Sequence, residues 1–342
     1  MCSWIKKAPS PRSPAFCNNM TVLALSAFWI ISLVLPTAVL GQTKFIVSAL
    51  PPTLDAAPLW VADKKGFFQR EGLDAEVVVA KSTAYSLQAL AGGLIHAALA
   101  DNHDILAHID KGSDLAIVAA GCKSSHMIVG GKNIKSYEDL RGKSGASSTL
   151  STGTASLLRR LLRAHGLEQG KDYSWVELAR GGSLLDAVAS GKVAGAVVDV
   201  PDNFRAQEMG FQVLGKLSDL LPNYLRSSFA VRRKWAAQHR ADLVRFVKAL
   251  LQARKLIEDH PDLGAEFLAQ QLKVKLGLAR RGLDYHIETR SWGANFTIEP
   301  EIMKSVIKTH ADHNEMKGPL PGAKKYFDLS YLNAALHELA WR

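Results

Sequence analysis

The sequence predicts a two-lobed α/β protein in which each lobe is an open sheet flanked by helices, followed by a helical C-terminal extension. Three observations carry that reading. The chain has 342 residues, 47% hydrophobic and 22% charged, an ordinary globular composition with room for two domains. Residues 87–101, LQALAGGLIHAALAD, align without gaps on residues 185–199, LDAVASGKVAGAVVD. Beyond about residue 235 the pattern is helical to the end, with no strand-like run.

The first forty residues stand apart from this scheme. Lys6, Lys7 and Arg12 precede TVLALSAFWIISLVLPTAVLG, which contains no acidic residue, and a basic start before an apolar run reads as an export signal. The run approaches the length needed to cross a bilayer. Pro36 and the small residues after it, with Val39 and Gly41 suited to a peptidase, instead point to cleavage before Gln42, so residues 1–41 are expected to be a signal peptide. Cys2 and Cys17 fall inside it, which leaves Cys122 alone. No internal disulfide is then available, and core packing has to hold the fold. No Cys follows the apolar run, which argues against a lipid anchor. The net charge of +10 is spread thinly and lacks the basic, aromatic-interleaved clusters of nucleic-acid binders; it implies a mild attraction for small anions.

The repeat defines the lobes. Identities fall at Leu87/Leu185, Ala89/Ala187, Ala91/Ala189, Gly93/Gly191, Ala98/Ala196 and Asp101/Asp199. Each copy reads as a helix, a Gly stop where a left-handed C-cap costs little, a buried strand and an acid at the strand's end. The same spacing relates KFIVSAL near 44 to KSGASSTL near 143, the amphipathic stretch 57–72 to 153–166, and the strand patterns 74–80 and 173–179. Each lobe is therefore expected to be β-α-β-α-β with a parallel sheet. The runs at 126–131 and 227–233 are expected to form the hinge. Helices near Trp235, Ala241 and Asp262, another over 299–313 and a last one after GPLPG are expected to pack on the first lobe and cover the hinge. The first lobe then comprises 42–126 and 227–342, and the second 127–226.

Five segments in this order, APLWVADKKGFFQREGLDAEVV, SLQALAGGLIHAALAD, SYEDLRGKSGAS leading into STGTASLLRRLL, LLDAVASGKVAGAVVD and YFDLSYLNAALHEL, resemble the periplasmic solute-binding proteins of nitrate, sulfonate, taurine and thiamine-precursor ABC importers. The resemblance implies a clamp of the type II periplasmic-binding-protein fold, a periplasmic location, and a membrane permease and ATPase as partners. It implies no catalysis and no cofactor. It leaves the ligand open.

In open α/β sheets ligands bind beyond the carboxyl ends of the strands, which selects candidate contacts. Asp55, after two prolines, is placed to cap a helix near Ala57 or to meet ligand, and Trp60 either walls the crevice or joins the core. Ser82 and Thr83 sit at a helix entrance with free N–H groups; the family pattern also puts a small hydroxyl residue there. Thr152, Gly153 and Thr154, following Ser151, form an N-terminal cradle suited to an anion, and Arg180 is suited to clamping an acid. Asp101, with Asn102, and Asp199 follow their strands, as caps or as ligand contacts. Trp292 enters only through the family's C-terminal lid segment, together with Asn295. His96, His103 and His108 lack the spacing and companions of a metal site, and none is expected.

The reading is thus of a monomeric binding protein and not an enzyme. It takes a small-molecule ligand, with a sulfonate or carboxylate anion favoured by Arg180, the STGT entrance and the positive charge; Asp55, Asp101 and Asp199 keep an amine or pyrimidine open. The pyrimidine synthases of thiamine biosynthesis share the skeleton, but they are cytoplasmic and carry a cysteine-rich iron-binding motif. A LysR-type sensor needs an N-terminal helix-turn-helix where this chain has its signal.

Overall fold

A computed structural model describes residues 43–341 apart from 149, 151, 152 and 179–181. The expected signal, Thr152 and Arg180 lie outside the described residues. The first lobe opens with β1 (Thr43–Ala49), α1 (Ala57–Lys64), α2 (Phe67–Arg70), β2 (Leu73–Val79), α3 (Thr83–Ala91), β3 (Ala97–Asp101), α4 (Asn102–Asp110) and β4 (Leu115–Ala120). The second contains β5 (Met127–Gly130), β6 (Lys143–Ser147), α5 (Gly153–Ala164), β7 (Tyr173–Glu177), α6 (Gly182–Ala189), β8 (Gly195–Val198), α7 (Asp202–Glu208), β9 (Gln212–Lys216) and α8 (Leu217–Leu220). The chain returns through β10 (Ser227–Arg232) and α9 (Arg233–Gln238). It ends in α10 (Arg240–Asp259), α11 (Pro261–Leu272), α12 (Leu276–Glu288), α13 (Pro300–His313) and α14 (Ser330–Glu338).

Two five-stranded sheets result, in the orders β2-β1-β3-β10-β4 and β7-β6-β8-β5-β9. The repeat holds at the level of strand register. Val47 lies between Val77 and Ala97, and Gly145, 98 residues on, lies between Trp175 and Gly195, each partner displaced by the same 98. The sheets are mixed, not parallel throughout as expected, because β10 and β5 insert antiparallel beside β3 and β8. The expected three-strand core also lacked β4 and β9. The first is the unbroken run LAIVAA, buried at every position, which shows no period to distinguish strand from helix. The expected helix over 57–72 divides at Gly66, whose positive φ of 72° ends the first turn series.

Each sheet is held by helices whose apolar faces match it. In the first lobe, Phe45 of β1 stacks on Phe246 of α10 at 4.6 Å between centroids, and Phe68 stacks on the same ring at 5.5 Å. That pairing fixes the tail to the first sheet. The tail also reaches the second lobe, since α12 packs on α7 and α13 on both α4 and α5.

The strands at 126–131 and 227–233 do not make the hinge; they are inside the sheets, and the crossings lie just before them. Arg226 N–H donates to Cys122 O at 2.9 Å, Gly121 N–H to Ser227 O at 2.9 Å and Ser124 N–H to Tyr224 O at 3.0 Å, so the two crossings pair antiparallel. A Cβ on Gly121 would meet Leu99 and Ser227 at 2.7 Å, so only glycine permits this approach. Asp55 lies beneath the crossings, 5% exposed. It caps no helix. Its carboxylate takes Arg226 Nη2 at 2.5 Å and the Ser125 hydroxyl at 3.1 Å, with His286 Nε2 at 3.4 Å. Its carbonyl accepts from Trp292 Nε1 at 2.9 Å. Burial alone would push the Asp55 carboxyl up, but the Arg226 guanidinium and His286 outweigh it and hold it below its usual value.

Breaking a buried pair strands the remaining charge, so Arg226→Met should lower unfolding stability by about 3 to 5 kcal/mol. Asp55→Leu combined with Arg226→Met should recover part of that loss. Urea denaturation of the single and double variants measures both; an equal loss in the two would show that the stranded charge is not the cause.

Candidate functional site

The lobes enclose a cleft of about 920 Å³. The first lobe contributes Ser82 and Thr83 at the start of α3 and Asp101 and Asp104 at the start of α4. The second contributes Thr154, Asp199 and Asp202, the crossings supply His126 and Arg226, and the tail supplies Lys273. Local structure explains their placement. Ser82 is extended and its hydroxyl accepts from Tyr85 N–H at 3.4 Å, starting α3. Asp101 starts α4 by accepting from His103 N–H at 3.0 Å. Both entrances therefore turn their free helix N–H groups toward the carboxyl ends of the strands. Asp199 does not begin α7; its carboxylate meets His126 Nε2 at 2.8 Å, and His126 Nδ1 lies 3.0 Å from the Ser124 hydroxyl.

Four sequence candidates stand elsewhere. Trp60 is 4% exposed in the first-lobe core; its early position on an amphipathic helix gave no sign of which face the sheet would cover. Trp292 is 1% exposed and stacks on His286 at 5.3 Å, so it supports the Asp55 cluster and is not a lid. Asn295 likewise turns away, accepting from Arg254 at 2.8 Å. Asn102 is buried and donates to Leu225 O at 2.8 Å, anchoring a crossing. Gly153 is small for a different reason than the one expected: a Cβ there would lie 2.5 Å from the Tyr224 hydroxyl and 3.3 Å from His103 Cβ. Asp55 borders a small cavity of about 30 Å³ below the cleft, lined also by Thr83, Asp101 and Arg226.

The cleft residues missed by the sequence include Asp104, His126, Asp202, Arg226 and Lys273. Asp104 was readable, three positions after a helix cap. Arg226 and His126 sit on the crossings, to which the strand-end rule does not point, and Lys273 reaches the cleft only through the folding of the tail.

The inner wall is acidic and the charges strain against one another. Burial, reinforced by Asp101, pushes the Asp104 carboxyl up to about 7. Burial also raises Asp202. Burial opposes the charge on Arg226, but Asp55, Asp199 and Asp101 prevail and hold it above its ordinary value. Among the described residues its Nε, buried at the cleft floor, has no hydrogen-bond partner. Behind α4, His310 links Asp110, 2.8 Å from its Nε2, to His103, whose Nδ1 is 3.2 Å from its Nδ1. The His313 ring lies 4.1 Å from that of His103. Burial, His313 and His310 push His103 down to about 4.

Asp55, Cys122 and His286 each offer one ligand atom within 4.8 Å of the others. Arg226 already occupies the Asp55 carboxylate, burial pushes the Cys122 thiol up, and a dication beside a buried guanidinium would be repelled. The group reads as a hydrogen-bonded hub.

With this geometry established, comparison with known proteins is decisive at one point: the profile of the NMT1-like family matches residues 48–271. The chain belongs to the NMT1-like family. The bicarbonate transport ATP-binding protein CmpC of Synechocystis is 27% identical over 234 residues, covering 59% of this chain and 33% of CmpC. The chain thus spans about a third of the length of that relative. The ligand-binding component of an ABC-type import system from Staphylococcus aureus, solved with zinc bound, superposes with a TM-score of 0.70 at 17% identity, covering 86% of this chain and 99% of that one. The alkanesulfonate-binding protein SsuA of Xanthomonas axonopodis, bound to MOPS, gives 0.67 at 18% identity over 84% and 98%. The structural likenesses establish the two-lobed binding-protein fold within the family.

Asp104 and His103 should respond to pH in opposite senses. The folded chain keeps a proton on Asp104 that the unfolded chain releases above 3.8, so this contribution is full below 3.8 and lost as pH rises through 7. The folded chain refuses a proton on His103 that the unfolded chain takes up below 6.5; that contribution is full above 6.5 and lost as pH falls through 4. Relative to wild type, the Tm of Asp104→Asn should climb toward about pH 8 and that of His103→Asn toward about pH 4. Parallel Tm–pH curves for all three proteins would contradict both assignments.

Proposed function

We propose that the protein is the extracytoplasmic solute-binding component of an ABC importer, holding a small organic ligand between its lobes and closing on it. The observation that carries this reading is the interlobe cleft of about 920 Å³, walled by polar groups from both lobes and floored by two paired crossings. Ser82, Thr83 and Asp101 contact ligand from one side and Thr154 and Asp199 from the other; Thr152 and Arg180, outside the described residues, are proposed as further contacts. Neither wall alone surrounds a small molecule, so ligand favours closure through its differential affinity for the closed state.

The favoured ligand is an organic acid of sulfonate or carboxylate type that also carries an N–H donor. Its anionic end meets the N-terminus of α5 at Thr154 and the unpaired Nε of Arg226. Its donor meets Asp101 and Asp104, whose mutual repulsion a positive or N–H group relieves. The sulfonate-binding relative supports the acidic end of this choice, and the two carboxyls support the donor.

The binding reading also covers the setting: export through a signal cleaved before Gln42, a periplasmic location, a monomer, no cofactor, and delivery to a permease and ATPase. It is favoured over an enzyme with a cysteine nucleophile because Cys122, the one Cys among the described residues, is buried with its thiol pushed up, and a protonated, inaccessible thiol is not a nucleophile.

A thermal-shift screen of organic acids with and without amino groups should find a compound that, at a hundred times its dissociation constant, adds about 2.7 kcal/mol of stability. Saturation with that compound should reduce the radius of gyration in small-angle scattering. Asn caps helices as well as Asp does, so Asp101→Asn should keep its fold while its affinity falls about tenfold or more. Unchanged dimensions on saturation, or wild-type affinity in that variant, would remove the cleft from consideration. N-terminal sequencing of the exported protein should read from near Gln42.

A further inference from the structure

A second concavity lies at the C-terminal end of α5 and shares no lining residue with the cleft. It encloses about 490 Å³ between Arg159 and Arg163 of α5, Glu168 and Gln169 of the following loop, and Tyr173 at the start of β7. The two arginines are four residues apart and so project from one helical face. Arg159 spends one donor on Leu150 O at 3.2 Å, and Arg163 makes no side-chain hydrogen bond or ion pair with any described residue. Gly170 N–H donates to Tyr173 O at 2.8 Å, pinning the loop over the strand.

Tyr173 distinguishes this place from an ordinary basic helix end. It is 5% exposed, and its hydroxyl is buried with no hydrogen-bond partner among the described residues. A basic residue in the last turn is sufficiently explained by the helix dipole. A buried, unpartnered phenol in the field of two guanidinia is not, because leaving such a group unsatisfied costs about 1 to 3 kcal/mol. Burial raises the phenol, while Arg159 and Arg163 pull it back, so the field of both cations falls on that hydroxyl. Glu168 is the single acid in the lining, and it leaves the two arginines in excess.

We propose that this concavity is an anion site, taking one tetrahedral oxyanion, a phosphate or sulfate group, between the Arg159 and Arg163 guanidinia with Tyr173 as the buried O–H donor. Guanidinium forks suit such oxyanions, and a phosphate supplies the acceptor that the phenol lacks. The group comes either as the free ion or as the headgroup of an anionic phospholipid.

Calorimetry with inorganic phosphate on the purified full chain tests the site independently of the cleft. Arg163→Gln alters an exposed side chain and Tyr173→Phe keeps the ring packing; each should weaken phosphate binding by about tenfold or more, the loss of one charge-assisted contact. Asp101→Asn, in the cleft, should leave it unchanged. Equal phosphate affinity in wild type, Arg163→Gln and Tyr173→Phe would overturn the proposal, as would no phosphate binding by wild type. Flotation with vesicles of phosphatidylglycerol or phosphatidylcholine then separates the sources. Arg163-dependent binding to the first alone assigns the headgroup, and phosphate binding without vesicle binding assigns the free ion.

Discussion

The buried pair of Asp55 and Arg226 is the constraint around which the molecule is arranged. Asp55 follows the first strand, Arg226 ends the second crossing, and Ser125, His286 and Trp292 bring the first crossing and the tail to the same carboxylate and its carbonyl. Four separate parts of the chain therefore meet at one negative charge that has left water. Taking two ions into a low-dielectric interior costs several kcal/mol for each, and excellent geometry offsets that only if every partner arrives. This makes the pair a specifier of arrangement more than a source of net stability. Both crossings are consequently tied at Arg226 and Ser125 to the loop after the first strand.

The same carboxylate shapes the cleft. By engaging Arg226 Nη2, Asp55 holds the guanidinium at the floor of the cleft, while its buried Nε has no hydrogen-bond partner among the described residues. Asp101 and Asp199 add negative field around it, and burial, reinforced by Asp101, drives Asp104 toward neutrality. This wiring places one unpartnered donor and crowded acceptors around the same cleft. Such polar frustration stabilises a folded chain poorly and a bound polar ligand well, which is the distribution expected where binding is the function.

The tail gives the two lobes a second connection. Its α10 belongs to the first sheet through the Phe45–Phe246–Phe68 stack, while α12 and α13 touch α7 and α5 across the division. The Asp110–His310–His103 chain fixes α13 to α4, and α4 carries Asp101 and Asp104 at its start. Packing between tail and first lobe therefore orients the acidic wall.

Much of the fold was legible in the chain because it depends on local chemistry that recurs. Glycine stops, strand-length apolar runs and terminal acids repeat at a spacing of 98, and strand pairing keeps that spacing residue for residue, since a one-residue slip would turn every buried side chain outward. Ser82 and Asp101 were legible for the same reason: a helix start needs a polar cap wherever it occurs. The strand exchange through β5 and β10, the hub at Asp55 and the burial of Trp60 and Trp292 were settled only by tertiary structure. Asp55 and Arg226 are 171 positions apart, and nothing local distinguishes an aspartate that will cap a helix from one that will receive a guanidinium. Which face of an amphipathic helix meets the sheet, and which of a buried carboxylate's possible partners reaches it, are decided by what the rest of the chain brings alongside.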